Sequence, residues 1–391
     1  MAPWKSVYSR VEKVDPEDEE AFHEPQVERR PERQRLFLTI LVAIACLATG
    51  FGAGSLTRIL AVHDVPSSST GSSELQLPSV SEVPSVPDTP MVPDLPTLPV
   101  SPTVSCKEPT VRREWRSFTS DERAEYVAAV KCLATIPSTI GLNGTLYDDF
   151  SWLHRNIGQY SHEASSFLPF HRYVLHKYEN VLSEYCGFTG VMPYWDWSLD
   201  WVNPAQSSIW DPETGFGGDG DPSGEITVGG GRCVIDGPFT DLKPIFYNFT
   251  YNLHCISRGF RTASGFGSIS GWDYRPEGMG ELLRHSTYDE FVHDIELKHD
   301  FLHNGIGGDF MAFTASNDPL FFLHHAQLDR LWWQWQNIDP NNRLKEYTGH
   351  HFNNSTTNAT VEDRLTFAGF MDDISVFEVM NTQGDMLCYH Y

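Results

Sequence analysis

Residues 295–310, IELKHDFLHNGIGGDF, and residues 317–336, NDPLFFLHHAQLDRLWWQWQ, decide how this chain is read. In the first stretch His299 and His303 stand four apart, so on a helix both imidazoles leave one face and can share one metal ion. Glu296 lies on the same stripe three residues earlier, and Asp300 falls on its flank. Thr287 and Glu290 form a capping box upstream, which predicts a helix from there to about His303. In the second stretch Asp318 and Pro319 predict an N-cap and first helical position for a helix through Trp335 that carries the pair His324–His325. A third stretch, DDFSWLHRNIGQYSHEASSFLPFHR at 148–172, sets His154 and His171 on two further predicted helices, 147–157 and 171–184, with His162 on the loop between them. Thr119 and Glu122 cap another helix bearing Tyr126, Val127, Val130 and Leu133, which Pro137 ends. Residues 203–237, rich in Gly and Pro, read as loop with short strands. The expected fold class is mainly α, a helical core with long loops rather than an α/β sheet.

Outward from this core the chain changes character twice. Residues 1–35 hold seven basic and nine acidic side chains and little apolar periodicity, and read as a polar tail. Leu36–Leu56, LFLTILVAIACLATGFGAGSL, is 21 residues without a charge. As a helix it spans about 31 Å, the thickness of a bilayer core. Arg29, Arg30, Arg33 and Arg35 precede it and only Arg58 follows closely, so the expectation is a single-pass type II anchor with a cytoplasmic N-terminus. A 35-residue leader is too long for an ordinary signal peptide. Residues 64–105 carry 9 Pro, 14 Ser or Thr, five acids and no base, and read as an extended stalk.

Residues 106–391 form one expected catalytic domain. Six of the seven cysteines fall there, an even number that suits disulfides in a lumenal or extracellular compartment, although 15 pairings are open. N-glycosylation sequons begin at Asn143, Asn248, Asn353, Asn354 and Asn358, all beyond the apolar run. The whole chain has a formal charge of −24, which argues against nucleic acid as a partner.

Taken singly, a histidine on a helix is ordinarily a surface or satisfied core residue. His176, His254, His285, His293, His350, His351 and His390 read that way. The two groups above stand apart because of their company. SHEASSFLPFHR (161–172), IELKHDFLHNGIGGDF and NDPLFFLHHAQLDRLWWQWQ closely resemble the two copper-binding signatures of the tyrosinase family, across about His154 to Gln336, and the ending CYHY (388–391) resembles that of short fungal members. The resemblance implies a four-helix bundle holding two copper ions. It assigns His154, His162 and His171 to the first copper, and His299, His303 and His325, the second of the HH pair, to the second. Glu296 matches a glutamate that holds a water near the coppers and so stands as a base for a phenol. Asp300 is then a second base or an anchor for the same water. Arg172 and Asp329 match a buried pair beside the ligands, and Phe321 a residue packed on the site.

The chemistry agrees: neutral imidazoles suit copper, and six of them without a carboxylate disfavour a carboxylate-bridged di-iron centre. The implied reaction uses dioxygen to hydroxylate monophenols and oxidise o-diphenols. Candidate substrates run from small phenols and pigment precursors to peptidyl tyrosine in fungal secondary-metabolite or cyclic-peptide pathways. Two departures from the family pattern matter. Tyr160 stands where many members have a Cys thioether-linked to the second ligand, and Ala312 where oxidase-only relatives carry a bulky Phe. Three other readings are a catechol oxidase without monophenolase activity, a haemocyanin-like oxygen carrier, and a zinc peptidase, since His299-Asp300-x-x-His303 imitates HExxH.

Overall fold

A computed structural model describes residues 106–262, 268–351 and 355–391. The polar tail, the Leu36–Leu56 run, the stalk 64–105 and the sequons at Asn353 and Asn354 lie outside the described residues. Within them no helix is long and apolar enough to cross a membrane.

The fold is mainly α. Its helices are α1 (Ser120–Leu133), α2 (Leu146–Asn156), α3 (Phe167–Cys186), α4 (Pro276–Arg284), α5 (Tyr288–Ile306), α6 (Leu320–Ile338) and the short α7 (Pro340–Arg343). Capping boxes start three of them. Thr119, Thr145 and Thr287 each accept the backbone N–H three residues on, and Glu122, Asp148 and Glu290 reach back to the cap. Several boundaries differ from the sequence expectation by one to four residues, and two of the starts have a clear cause. Helix α3 begins four residues earlier, at Phe167, because Pro169 sits in its first turn, where no N–H is needed. Helix α6 begins at Leu320 with Pro319 as the cap. Asp318 Oδ1 still accepts Leu320 N–H (3.1 Å), but its carboxylate is chiefly engaged by the buried Arg258.

Long loops with two-residue strand pairs and 3₁₀ turns fill the rest, as expected for residues 203–237. Thr110–Val111 pairs in parallel with Tyr389–His390, bringing the start and end of the domain together, and Cys106–Cys388 links them covalently. Cys132–Cys186 ties α1 to the end of α3, and Cys233–Cys255 closes a loop. The pairing left open by the sequence is thus resolved, and three disulfides point to an oxidising, secreted or lumenal compartment.

One apolar core threads all six longer helices, from Tyr126 and Leu133 through Phe150, Tyr178, Leu282 and Ile295 to Leu328 and Trp332. A buried ionic cluster crosses it. Arg172 on α3 pairs with Asp329 on α6, stacks on Trp332, and donates to the carbonyls of Val379 and Met380. Arg112 bonds Glu179 and lies within 3.5 Å of Asp329, whose Oδ2 also accepts from the Tyr389 and Tyr391 hydroxyls. These partners satisfy charges that would otherwise cost several kcal/mol each to bury. They also lock α3, α6 and the C-terminal strand into one register.

Candidate metal centre

Histidines from α2, α3, α5 and α6 converge in the interior. His154, His162 and His171 have ligand atoms within 4.8 Å of one another, and so do His299, His303, His324 and His325. The two groups adjoin: the His171 and His325 rings stack 4.1 Å apart, and His162 lies 5.6 Å from His299. All six sequence-predicted histidines are therefore brought together.

Backbone carbonyls set the ring orientations. Nδ1 of His154 donates to Phe313 O (2.6 Å), that of His162 to Gly158 O (2.7 Å), that of His171 to Phe167 O (2.7 Å) and that of His303 to Phe310 O (2.9 Å). His299 Nδ1 faces Asp300 Oδ1 at 3.1 Å. A ring that donates through Nδ1 presents a lone pair at Nε2, ready for a metal. His154 Nε2 and His171 Nε2 then face each other at 3.1 Å with no proton to share, an arrangement that a cation between them relieves. Nε2 of His299 and His303 and both nitrogens of His325 are buried with no protein partner. Burial, and then the neighbouring imidazoles, push the pKa of His154, His171, His299, His303 and His325 well below the ordinary histidine value, which keeps them neutral. Neutral, unpartnered, converging imidazoles without a carboxylate in the donor set fit copper.

His324 also lies within reach of the second group, with both nitrogens unpartnered. It stacks on His299 at 5.3 Å, whereas His325 faces both groups. Phe321 packs against His154 (5.0 Å) and His325 (4.2 Å), as expected of it.

A cavity of about 320 Å³ opens onto the histidines, lined also by Glu163, Asn248, Glu296, Asp300, Ala312 and Phe313. Glu296 is buried, and its Oε1 accepts the backbone N–H of Glu163 at 2.7 Å. Glu163 follows His162 and has φ = 53°, so Glu296 clamps a strained turn that carries a ligand candidate. Burial raises the Glu296 pKa to about 8, against the pull of the Glu163 N–H, and Asp300 adds to the rise. Burial likewise raises Asp300, whose side chain is half exposed at the mouth. Its contact with His299 gives Asp300 a role the sequence did not show, orienting that imidazole. Ala312 lines the cavity as expected, while the neighbouring Phe313 supplies the aromatic wall, 5.3 Å from the His162 ring. Tyr160 is exposed and all six cysteines of the described residues are in disulfides, so no thioether forms at His162.

Sequence reasoning missed what supports the segment 308–313. Its carbonyls at Phe310 and Phe313 orient one histidine of each group. It is anchored by the fully buried Asp309, which accepts from His254 Nε2 (2.9 Å), Ser257 N–H (2.8 Å) and Asn317 Nδ2 (2.9 Å). Gly308 (φ +58°) makes the turn possible, since a Cβ there would meet the Ser257 carbonyl at 2.0 Å. Carbonyl acceptors have no residue-type signature, and His254 stands alone in the sequence. The double glycine before Asp309 was the one available signal.

Comparisons with known proteins converge on one family. A family profile described as the common central domain of tyrosinase matches residues 144–338. Tyrosinase ustQ of Aspergillus flavus is 58% identical over 287 residues, covering 73% of this chain and 80% of the relative. Tyrosinase-like protein phomQ2 of Diaporthe leptostromiformis is 54% identical over 290 residues, covering 74% of each. Among solved structures, a polyphenol oxidase variant of Thermothelomyces thermophila superposes with a TM-score of 0.61 at 28% identity, over 72% of this chain and 88% of that one.

Proposed function

The chain belongs to the tyrosinase family of dinuclear copper oxidases, and on that premise we propose that it hydroxylates monophenols and oxidises o-diphenols to o-quinones with dioxygen. His154, His162 and His171 hold one copper, and His299, His303 and His325 the other. The two ions supply dioxygen activation and the redox capacity that side chains lack. The protein's own residues do the rest. Phe313 lines the approach to the histidines, Phe321 packs on the His154 and His325 rings, and the small Ala312 leaves the approach open. Glu296 accepts the phenolic proton, a demand specific to monophenols, whose unperturbed pKa is near 10. Asp300 holds His299 in orientation.

The observation that carries monophenolase activity is the buried carboxylate of Glu296 on the cavity wall, with Ala312 beside the entrance. Incubating the purified protein with free tyrosine, a catechol and a tyrosine-containing peptide tests it. Hydroxylation of tyrosine, free or peptidyl, is expected. Turnover of the catechol alone would reduce the protein to a catechol oxidase.

The domain is further read as lumenal or extracellular, glycosylated, and held on a type II anchor at Leu36–Leu56, supported by the arginines before that run and the sequons after it. Glycosidase treatment should shift its gel mobility and alkaline carbonate should leave it in the membrane. An unshifted, extractable protein would contradict this topology.

A further inference from the structure

Asn248 belongs to the only one of the described sequons whose asparagine lines the cavity above the histidines; Asn143 and Asn358 do not line it. The local geometry explains why it is presented there. Phe246 pairs with Tyr251 and Tyr247 with Thr250, so residues 248 and 249 form a two-residue hairpin loop. Asn248 occupies its first position with φ = 49°, a left-handed conformation that asparagine tolerates. The tip is fixed to the site: Asn248 N–H donates to Thr314 Oγ1 (3.2 Å), and Arg155, next to His154, donates to the Asn248 carbonyl (3.3 Å). The residue is exposed, and so are Phe249 and Thr250. The hairpin therefore holds an acceptor amide at the rim of the cavity on a short, ordered stem.

We propose that Asn248 is N-glycosylated and that its glycan is a size filter on the copper site, passing small phenols and excluding tyrosines on folded protein surfaces. This rests on the functional reading above and on the oxidising compartment indicated by the disulfides. In the modification Asn248 Nδ2 bonds to the anomeric carbon of an oligosaccharide carried on a polyisoprenyl diphosphate. The bond from that carbon to the diphosphate oxygen breaks, one amide proton is released, and the polyisoprenyl diphosphate leaves with the bonding pair. No oxidant or reductant is needed. A free phenol or catechol fits a cavity of about 320 Å³ and slips past a sugar at one side of its mouth. A tyrosine on a globular protein must bring a convex surface against that rim, and the first sugars occupy the space. Asn143 and Asn358 do not line the cavity, so the filter is assigned to the glycan at Asn248 alone.

The test uses the full chain made in a eukaryotic secretory host. Mass analysis of the peptide around residue 248 reads occupancy. Thr250→Ala removes the sequon without touching the cavity lining, and Thr250→Ser keeps both the sequon and the hydroxyl that donates to Tyr247 O. Native treatment with a peptide N-glycosidase removes the whole glycan from every accessible sequon without a prior mutation, leaving Asp in place of each asparagine. We expect an occupied Asn248. With Thr250→Ala or the deglycosylated wild type, kcat/KM toward tyrosine on a folded protein should rise about fivefold or more while that for free catechol stays within about twofold. Thr250→Ser should behave as wild type, and Asn143→Gln should not move the ratio. An unmodified Asn248, or a ratio unchanged by loss of its glycan while catechol turnover is intact, overturns the filter alone. No turnover of any substrate by any form overturns the functional reading and the filter with it.

Discussion

At the scale of single residues, Glu296 carries two demands. Its carboxylate clamps the Glu163 N–H behind His162 and also lines the cavity, where the proposed function makes it a base. Glutamine keeps the carbonyl acceptor for that N–H and loses only basicity. Glu296→Gln should therefore keep its copper and catechol turnover within about twofold, while monophenol turnover falls more than about tenfold, within the usual worth of a general base. Equal losses on both substrates would leave Glu296 a clamp only. The pH dependence follows from the same group. Burial first, with Asp300 adding, sets it at about 8 without metal, and bound copper cations draw it down. Because a base acts deprotonated, monophenol turnover in the wild type should rise with pH through the Glu296 pKa. That limb should be missing in the glutamine variant, and its persistence there would assign it to another group.

At the scale of elements, apolar packing gathers the four helices around the site, and a buried ionic cluster ties α3 and α6 to the C-terminal strand. Arg172→Leu would remove the closer of the two guanidinium partners of Asp329, 3% exposed, between α3 and α6. Arg112, Tyr389 and Tyr391 remain on Asp329, so the cost should fall at the low end for a broken buried pair, about 3 kcal/mol by denaturant unfolding. A loss under about 1 kcal/mol would mean that the remaining partners suffice. The elements themselves were largely legible in the sequence, because their signals are local. The Thr119–Glu122 and Thr287–Glu290 boxes mark helix starts wherever they occur, and the i, i+4 pair His299–His303 names its own face. One start moved for a tertiary reason, Asp318 being claimed by Arg258, sixty residues away, and the other for a local one, Pro169 being absorbed into a first turn. The carbonyl that aims His154, and the Asp309 anchor beneath it, depend on chain crossings that no local pattern encodes, whereas those that aim His162, His171 and His303 lie four to seven residues away. The choice of His325 over His324 came from the family resemblance; both have unpartnered nitrogens in the fold.

At the scale of the whole molecule, the buried His254–Asp309 pair couples stability to pH. His254 Nδ1 faces the Asn252 carbonyl and Nε2 faces Asp309, two acceptors that together favour the protonated ring. Burial alone would lower its pKa, but the hydrogen bond and charge of Asp309 outweigh that and raise it. A histidine raised in the folded state adds stability that is fully present below its unfolded value, about 6.5, and is lost as pH climbs through the folded pKa. Unfolding free energy should thus decline across that window in the wild type, and more weakly in His254→Gln. Identical slopes would show that the pair carries no linkage. The central claim remains that two histidine triads hold two coppers, and metal analysis of the purified chain with and without His303→Ala tests it most directly. The account predicts two coppers per wild-type chain, and in the variant fewer than two together with loss of phenol oxidation; a wild type without two coppers, or a variant that keeps both and full activity, would contradict it.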